Sequence, residues 1–464
     1  MEGSFDIIIK NGEVVLPDEV RRMDIGIAAG RIAALADHLD AQDTRVLEAA
    51  GCYVLPGMID MHVHFNEPNM GYWEGFRTGS AALAAGGCTT YADMPLNGIP
   101  PTVNVEALRL KADAARLNSA VDYTFWGGLV PGNLTHLEAM ADAGVIGFKA
   151  FLSNPGGEGE ERFREVDDWT LHEGMKRIAA FNGILALHAE SDAITSRLAA
   201  DAISQGRTGA LDFAASRPAI AEQEAVNRAL FFAGKTGCRL HFVHISSPET
   251  IEIIAQAKKS GFDVTAETCP HYLLLNETDM ERIGAAAKCA PPLRSESERE
   301  GLWEKLAEGK IDLIASDHSP CPGALKQGEG KSFFDVWGGI SGAQSSLELL
   351  FHEGVNRRKL PVTLLSRMLS GQPAARFGLS NRKGSMSLGM DADIAILDPD
   401  WRYMLRKEDL YYRHQHSPYI GMQLSCKVKT TLCRGQIVYT AEEGIRDASG
   451  GCWMKVVKGV PING

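Results

Sequence analysis

The sequence predicts an α/β fold, a (β/α)₈ barrel over residues 55–384 joined to a small β-sandwich built from both chain ends, residues 1–54 and 385–464. Three observations predict it. Short apolar, β-branched segments alternate with helical periodicity through the middle of the chain; strand-like text occupies both ends; and ligand-type polar residues recur where the central strands should finish.

Residues 5–10, 12–16, 24–28, 31–35 and 45–49 read as short alternating strands separated by turn residues, and the texture returns at 391–398 and 427–440. The two ends are expected to pair. Between them, eight strands are centred on Ile59, Tyr91, Phe125, Gly147, Ala186, Phe242, Ala266 and Ile314. Residues 219–233 carry Ala225, Val226, Ala229, Leu230 and Ala233 on one side of a helix. Parallel strands need crossover helices, so eight such alternations favour a barrel, with a doubly wound open sheet as the competitor. Glycine-rich polar loops at 154–168 and 321–335 follow the fourth and eighth strands, where lids over a barrel mouth are expected.

The length of 464 residues suits one large unit with an appended module, and 45% apolar with 23% charged residues is the composition of a globular enzyme. A net charge of −12 and no basic run argue against nucleic-acid binding. The opening residues lack a basic start leading into an apolar stretch, and no run of eighteen apolar residues occurs, so a cytoplasmic protein without a membrane partner is expected. The nine scattered cysteines form no Cys-x-x-Cys pair and read as reduced thiols. Cys289, in Lys-Cys-Ala-Pro-Pro, is a candidate for lining a pocket, with a small buried core residue as the alternative.

The chemistry begins at Pro-Gly-Met-Ile-Asp-Met-His-Val-His, residues 56–64. Residues two apart on a strand share a face, so His62 and His64 can offer two imidazoles to one ion with Asp60 beneath them. Alone, the pair would be ordinary strand histidines. The barrel reading adds Lys149 at the end of the fourth strand, His188 at the fifth, His244 at the sixth and Asp317 at the eighth. Singly, each histidine could be a hydrogen-bonded core residue and Lys149 a buried ion-pair partner. Five strand ends meeting at one mouth point to metal.

Four imidazoles and a carboxylate suit zinc, manganese, cobalt, nickel or iron, and exceed the needs of one catalytic ion, implying two divalent cations. A free ammonium beside two dications is unfavourable, so Lys149 should be neutral or converted by carbon dioxide to an anionic, bridging carboxylated lysine.

These residues resemble the cyclic amidohydrolase branch of the amidohydrolase superfamily, which holds allantoinases, dihydroorotases and hydantoinases or dihydropyrimidinases. The resemblance covers nearly the whole chain. It implies one cation held by His62, His64, carboxylated Lys149 and Asp317, and a second by Lys149, His188 and His244. It also implies hydrolysis of a cyclic amide, with a metal-bridging hydroxide attacking the ring carbonyl and Asp317 as the proton shuttle, in a homo-oligomer, by resemblance a tetramer.

Dihydroorotases carry an arginine where this chain has Asn66, and a neutral amide is a poor partner for a substrate carboxylate. The strings Asn-Glu-Pro, Asp-Met-Pro-Leu-Asn-Gly-Ile-Pro-Pro-Thr and Ser-Asp-His-Ser-Pro-Cys are similar to those of allantoinases, implying an uncharged cyclic ureide, allantoin, opened to allantoate; a hydantoinase is the alternative. The chain departs from them at residues 69–72, Asn-Met-Gly-Tyr. Asn66, Asn97, Cys289 and Ser319 are candidate substrate contacts, and Glu190, Ser246 and His318 candidates for orienting ligands. A noncatalytic assembly protein on the same fold is the remaining alternative, disfavoured because every ligand is present.

Overall fold

The computed structural model describes residues 4–41, 44–156, 159, 162–326, 331–446 and 448–456. Eight parallel strands follow one another in chain order: β6 (Met58–Val63), β7 (Cys88–Asp93), β8 (Asp122–Gly128), β9 (Gly147–Phe151), β10 (Ile184–His188), β11 (Arg239–Phe242), β12 (Val264–Thr268) and β13 (Leu313–Ile314). All eight predicted centres lie inside them. A parallel bridge between Val63 and His318, with the His64 amide donating to the His318 carbonyl at 2.8 Å, ties the last strand back to the first. The competing open sheet is thereby displaced by a nearly closed barrel.

Helices cover the outside of the strands, which explains their continuous apolar text. The helix Ala219–Thr236 is representative: Ala225, Val226, Ala229, Leu230 and Ala233 are its buried residues, and Gly237, at φ 71°, ends it in the left-handed conformation that glycine tolerates.

The chain ends form one nine-stranded sheet. β1 (Ile7–Val15), β2 (Val20–Ala28), β3 (Arg31–Ala36), β4 (Arg45–Glu48) and β5 (Tyr53–Pro56) come from the front, and β14 (Ile394–Asp398), β17 (Lys427–Cys433), β18 (Gln436–Thr440) and β19 (Gly444–Ile445) from the back. β15 (Tyr403–Met404) and β16 (Gln423–Leu424) pair separately. The ends meet where β5 lies antiparallel to β14, Ile396 opposite Val54, while pairing parallel with β1. A single apolar cluster draws Ile9, Val14, Ile25, Val54, Ile394 and Leu432 from both ends.

Two expected strands, 5–10 and 12–16, are one. Asn11, expected as the turn residue between them, takes a left-handed φ of 62° as a bulge and gives its amide to Asp24 Oδ1 at 2.9 Å, so β1 continues along β2. A side chain at Gly12 would sit 2.4 Å from Val54 Cγ2, which explains the glycine.

Sheet and barrel are joined by buried charge. Lys383 Nζ donates to Asp122 Oδ2, at the start of β8, at 2.8 Å and also pairs with Asp393, while Arg434 Nε reaches Asp122 at 3.0 Å. Among the described residues no helix is long and apolar enough to cross a membrane. All nine cysteines are free, and only Cys452 is exposed.

Candidate metal centre

The strand ends converge as expected. His62 and His64 point to one side of β6, with ring centroids 5.3 Å apart, and their Nε2 atoms lie 3.1 and 3.3 Å from Asp317 Oδ1. His244 packs 5.4 Å from His62 and 4.6 Å from His188, centroid to centroid. His244 and Asp317 follow their strands in left-handed backbone, at φ 39° and 46°. Such conformations are costly for residues with side chains and concentrate at functional sites.

Lys149 on β9 is fully buried, and its Nζ has no hydrogen-bond partner among the described residues. Burial pushes its ammonium down to about 8, against the opposing pull of Asp317 and Glu267. Burial likewise drives His64 to about 4 and His244 well below the usual imidazole range. Burial works the other way on Asp317, but His62, His64 and His244 hold its carboxyl well below the usual range. Neutral imidazoles beside an ionised carboxylate are the state in which metal ligands bind. Among the described residues, the Nδ1 atoms of His64 and His244 join Lys149 Nζ as buried polar atoms without partners, a costly arrangement in a protein interior. Ligand atoms of His62, His64 and Asp317 all lie within 4.8 Å of one another. The donor set fits divalent cations.

A second such group, Asp122, Asp391 and Asp393, does not. Lys383 and Arg434 already neutralise it.

Supporting residues fix the ligands. Glu267 on β12 accepts from His62 Nδ1 at 2.8 Å, from His241 Nε2 at 3.2 Å and from the His244 amide at 3.1 Å. Burial raises its carboxyl, but His62 and His241 outweigh that and bring it down to about 2. An ionised carboxylate only accepts, so Nδ1 of His62 carries the proton and Nε2 faces Asp317. Glu190 does the same for His188 Nε2, at 2.9 Å, and is itself paired with Arg217. Beneath the pair, Asp60 accepts from the amides of His62 and Ser316. Asp93 at the end of β7 accepts the Phe65 amide at 2.7 Å and pairs with the buried Lys111, steadying the turn after His64.

Of the expected orienting residues, only Glu190 touches a ligand side chain. Ser246 is taken by Glu222 and Arg294, and His318 accepts from the amides of Gly342 and Ala343. Sequence reasoning missed Glu267. Its signal was an acid in a strand otherwise buried on both faces, in Val-Thr-Ala-Glu-Thr.

A cavity of about 520 Å³ opens onto His62, His64, His188, His244 and Asp317. Asn97, Cys289 and Ser319 line it, as expected. Burial holds the Cys289 thiol up at about 12, so it stays neutral. Asn66 does not line it. Its left-handed backbone, φ 66°, turns the amide into the protein, where Oδ1 accepts from Asn97 Nδ2 at 3.0 Å. Asn66 supports a lining residue instead. Residues 69–72, where the text departs from allantoinases, lie outside the lining too. Described parts of both expected lid loops reach the cavity, through Asn154–Gly156 and through Leu325, Phe334 and Asp335, and the lining continues past the second loop to Gly339, whereas 157, 158, 160, 161 and 327–330 lie outside the described residues.

Fold and donor set together are those of a barrel protein whose mouth suits divalent cations. Residues 53–438 match the amidohydrolase family model. The chain is 47% identical over 448 residues to the allantoinase of Rubrobacter xylanophilus, covering 96% of each chain. It is 42% identical to that of Salmonella choleraesuis, covering 95% of this chain and 96% of that one. Among solved structures, the L-hydantoinase (dihydropyrimidinase) from Arthrobacter aurescens superposes with a TM-score of 0.94 at 34% identity, covering 98% of this chain and 100% of that one. Dihydropyrimidinase from Brevibacillus agri gives 0.90 at 29%, covering 97% and 98%. The chain belongs to the amidohydrolase family and is a cyclic amidohydrolase.

Proposed function

We propose that this chain hydrolyses allantoin to allantoate in purine catabolism, with two divalent cations at the mouth of the barrel. The observation that carries the reading is the convergence of His62, His64, His188, His244 and Asp317 around the unpartnered Lys149, in a chain 47% identical to an allantoinase. His62, His64 and Asp317 would hold one cation and His188 and His244 the other, with Lys149 carboxylated by carbon dioxide and shared between them. The donors suit zinc, manganese, cobalt, nickel or iron.

When bound, the cations supply Lewis acidity, making water acidic near neutral pH and drawing electron density from the ring carbonyl. The chain does the rest. Asp317, ionised and beside His62 and His64, takes the proton of the attacking water and returns it to the ring nitrogen that leaves. Glu267 and Glu190 keep His62 and His188 in one tautomer, so their free nitrogens need no reorganisation. Asn97 and Ser319 offer neutral hydrogen bonds to an uncharged ureide, and Cys289 a small neutral wall. The protein is expected to act in the cytoplasm as a homo-oligomer, a tetramer by family resemblance.

Close superposition on hydantoinases supports a second reading, a hydantoin or dihydropyrimidine substrate. One assay separates the two. Metal-loaded protein is offered allantoin, hydantoin, dihydrouracil and dihydroorotate in parallel; the highest kcat/KM is expected for allantoin, and a preference for any other overturns the substrate assignment.

A further inference from the structure

Two lysines outside the metal cluster share an unusual environment. Lys326 Nζ donates to three backbone carbonyls, Ala285 at 2.8 Å, Trp337 at 2.9 Å and Gly339 at 2.6 Å. Lys288 Nζ donates to two, Val336 at 2.6 Å and Phe334 at 3.2 Å, and sits 4.6 Å above the Phe213 ring. Their hydrogen bonds all go to backbone carbonyls, and Lys288 is only 4% exposed. Burial lowers Lys288 to about 7, with the Lys326 and Arg217 cations adding to it, and lowers Lys326 to about 8. Among the described residues, what holds each ammonium is a set of backbone carbonyls. Three donors radiating from one atom can gather carbonyls that no single neutral side chain reaches together.

What they gather is one segment. Four of the five carbonyls belong to residues 334–339, the returning arm of the loop after β13, and Val336, Trp337, Gly338 and Gly339 line the cavity. The arm also gives the Gly339 amide to the Lys288 carbonyl at 2.7 Å. It lies so close to the strand end that a side chain at Gly339 would meet the Ser319 carbonyl at 2.3 Å, two residues beyond Asp317. Trp337 stacks edge-on against Trp73 at 4.7 Å, reaching the loop that follows His64.

We propose that Lys288 and Lys326 are positioning residues for catalysis, pinning the 334–339 arm by its carbonyls so that it forms a fixed wall of the substrate cavity. They act through the arm, not on the reacting atoms. The role rests on the cyclic-amide reading above for its kinetic consequence, but not for its structural one.

The test uses metal-loaded full-length protein. Lys288→Met and Lys326→Met are each expected to raise KM for the best substrate of the panel by about tenfold or more, with kcat within about threefold and metal content unchanged, because a displaced wall weakens binding before and at the transition state alike. Hydrogen exchange should quicken at the amides of residues 336–340, and not in β6 or β10. Lys288→Gln, which keeps two donors, should recover part of KM and of the protection, and serves where Lys288→Met does not fold. Unchanged KM and unchanged protection in folded, metal-loaded variants overturn the proposal, as does a uniform loss of protection across the barrel. If wild-type protein hydrolyses none of the four compounds, the substrate reading fails while the exchange measurement still decides the role of the lysines.

Discussion

Glu267 and His62 lie 205 positions apart in the chain and 2.8 Å apart in space, joined by a buried hydrogen bond from Nδ1 to a carboxylate that also steadies His241 and the His244 backbone. One acid therefore orients ligands from two strand ends. Glu267→Gln keeps the shape but removes the charge. Metal affinity is expected to fall about 10- to 100-fold, read by competition with a chelator, with activity falling at limiting metal and partly recovering at excess.

Asp317→Asn removes the ionised group beside His62 and His64. At saturating metal kcat should fall about 10²–10⁴-fold, the usual worth of a positioned general acid or base. A variant that binds metal and keeps kcat would show the proton takes another route.

Lys149 sets a pH dependence for assembly. Its ammonium is lowered to about 8 by burial, so the neutral amine, the form that reacts with carbon dioxide, predominates above that pH and falls about tenfold per unit below it. Metal-free protein given metal and carbon dioxide should regain activity faster at pH 8.5 than at pH 6.5, followed by timed assays at one common pH. Equal rates would contradict the role of the neutral amine. Lys149→Ala should bind fewer cations and lose hydrolysis altogether.

Lys383 tests the join between sheet and barrel. Burial opposes its charge, but the Asp393 and Asp122 carboxylates beside it outweigh that and hold its ammonium above its ordinary value. The sign follows: this contribution is fully present at neutral pH and is lost only on strong alkalinisation. Lys383→Met takes the cation from buried Asp393 and leaves Asp122 to Arg434 alone, and should cost about 3–5 kcal/mol in urea unfolding at pH 7, with the metal centre intact in the folded fraction.

Much of this was legible in the sequence for physical reasons. Period-two strands and 3.6-residue helices leave a strong imprint, so Ile59 through Ile314 marked all eight barrel strands, and strand ends share one mouth, so the meeting of His62, His64, His188, His244 and Asp317 at one cavity could be read from their positions. What stayed hidden depended on backbone turns and distant partners. Asn66 looked like a substrate contact because its residue type suits one, but a left-handed φ sends its amide to Asn97. Asn11 stood as a turn residue between two expected strands and is a bulge within one, its amide taken by Asp24. Ser246 and His318 stand next to ligands in sequence yet bond elsewhere, whereas Glu267 stands far from His62 in sequence and touches it.

In the proposed function these strand ends hold two cations joined through a modified Lys149. Anomalous diffraction from crystals of protein produced with zinc and bicarbonate tests it most directly. The account predicts two peaks about 3.5–4 Å apart, one against His62, His64 and Asp317 and one against His188 and His244, with density extending beyond Lys149 Nζ to both. A bare ammonium at Lys149 with no peak beside it would contradict the account.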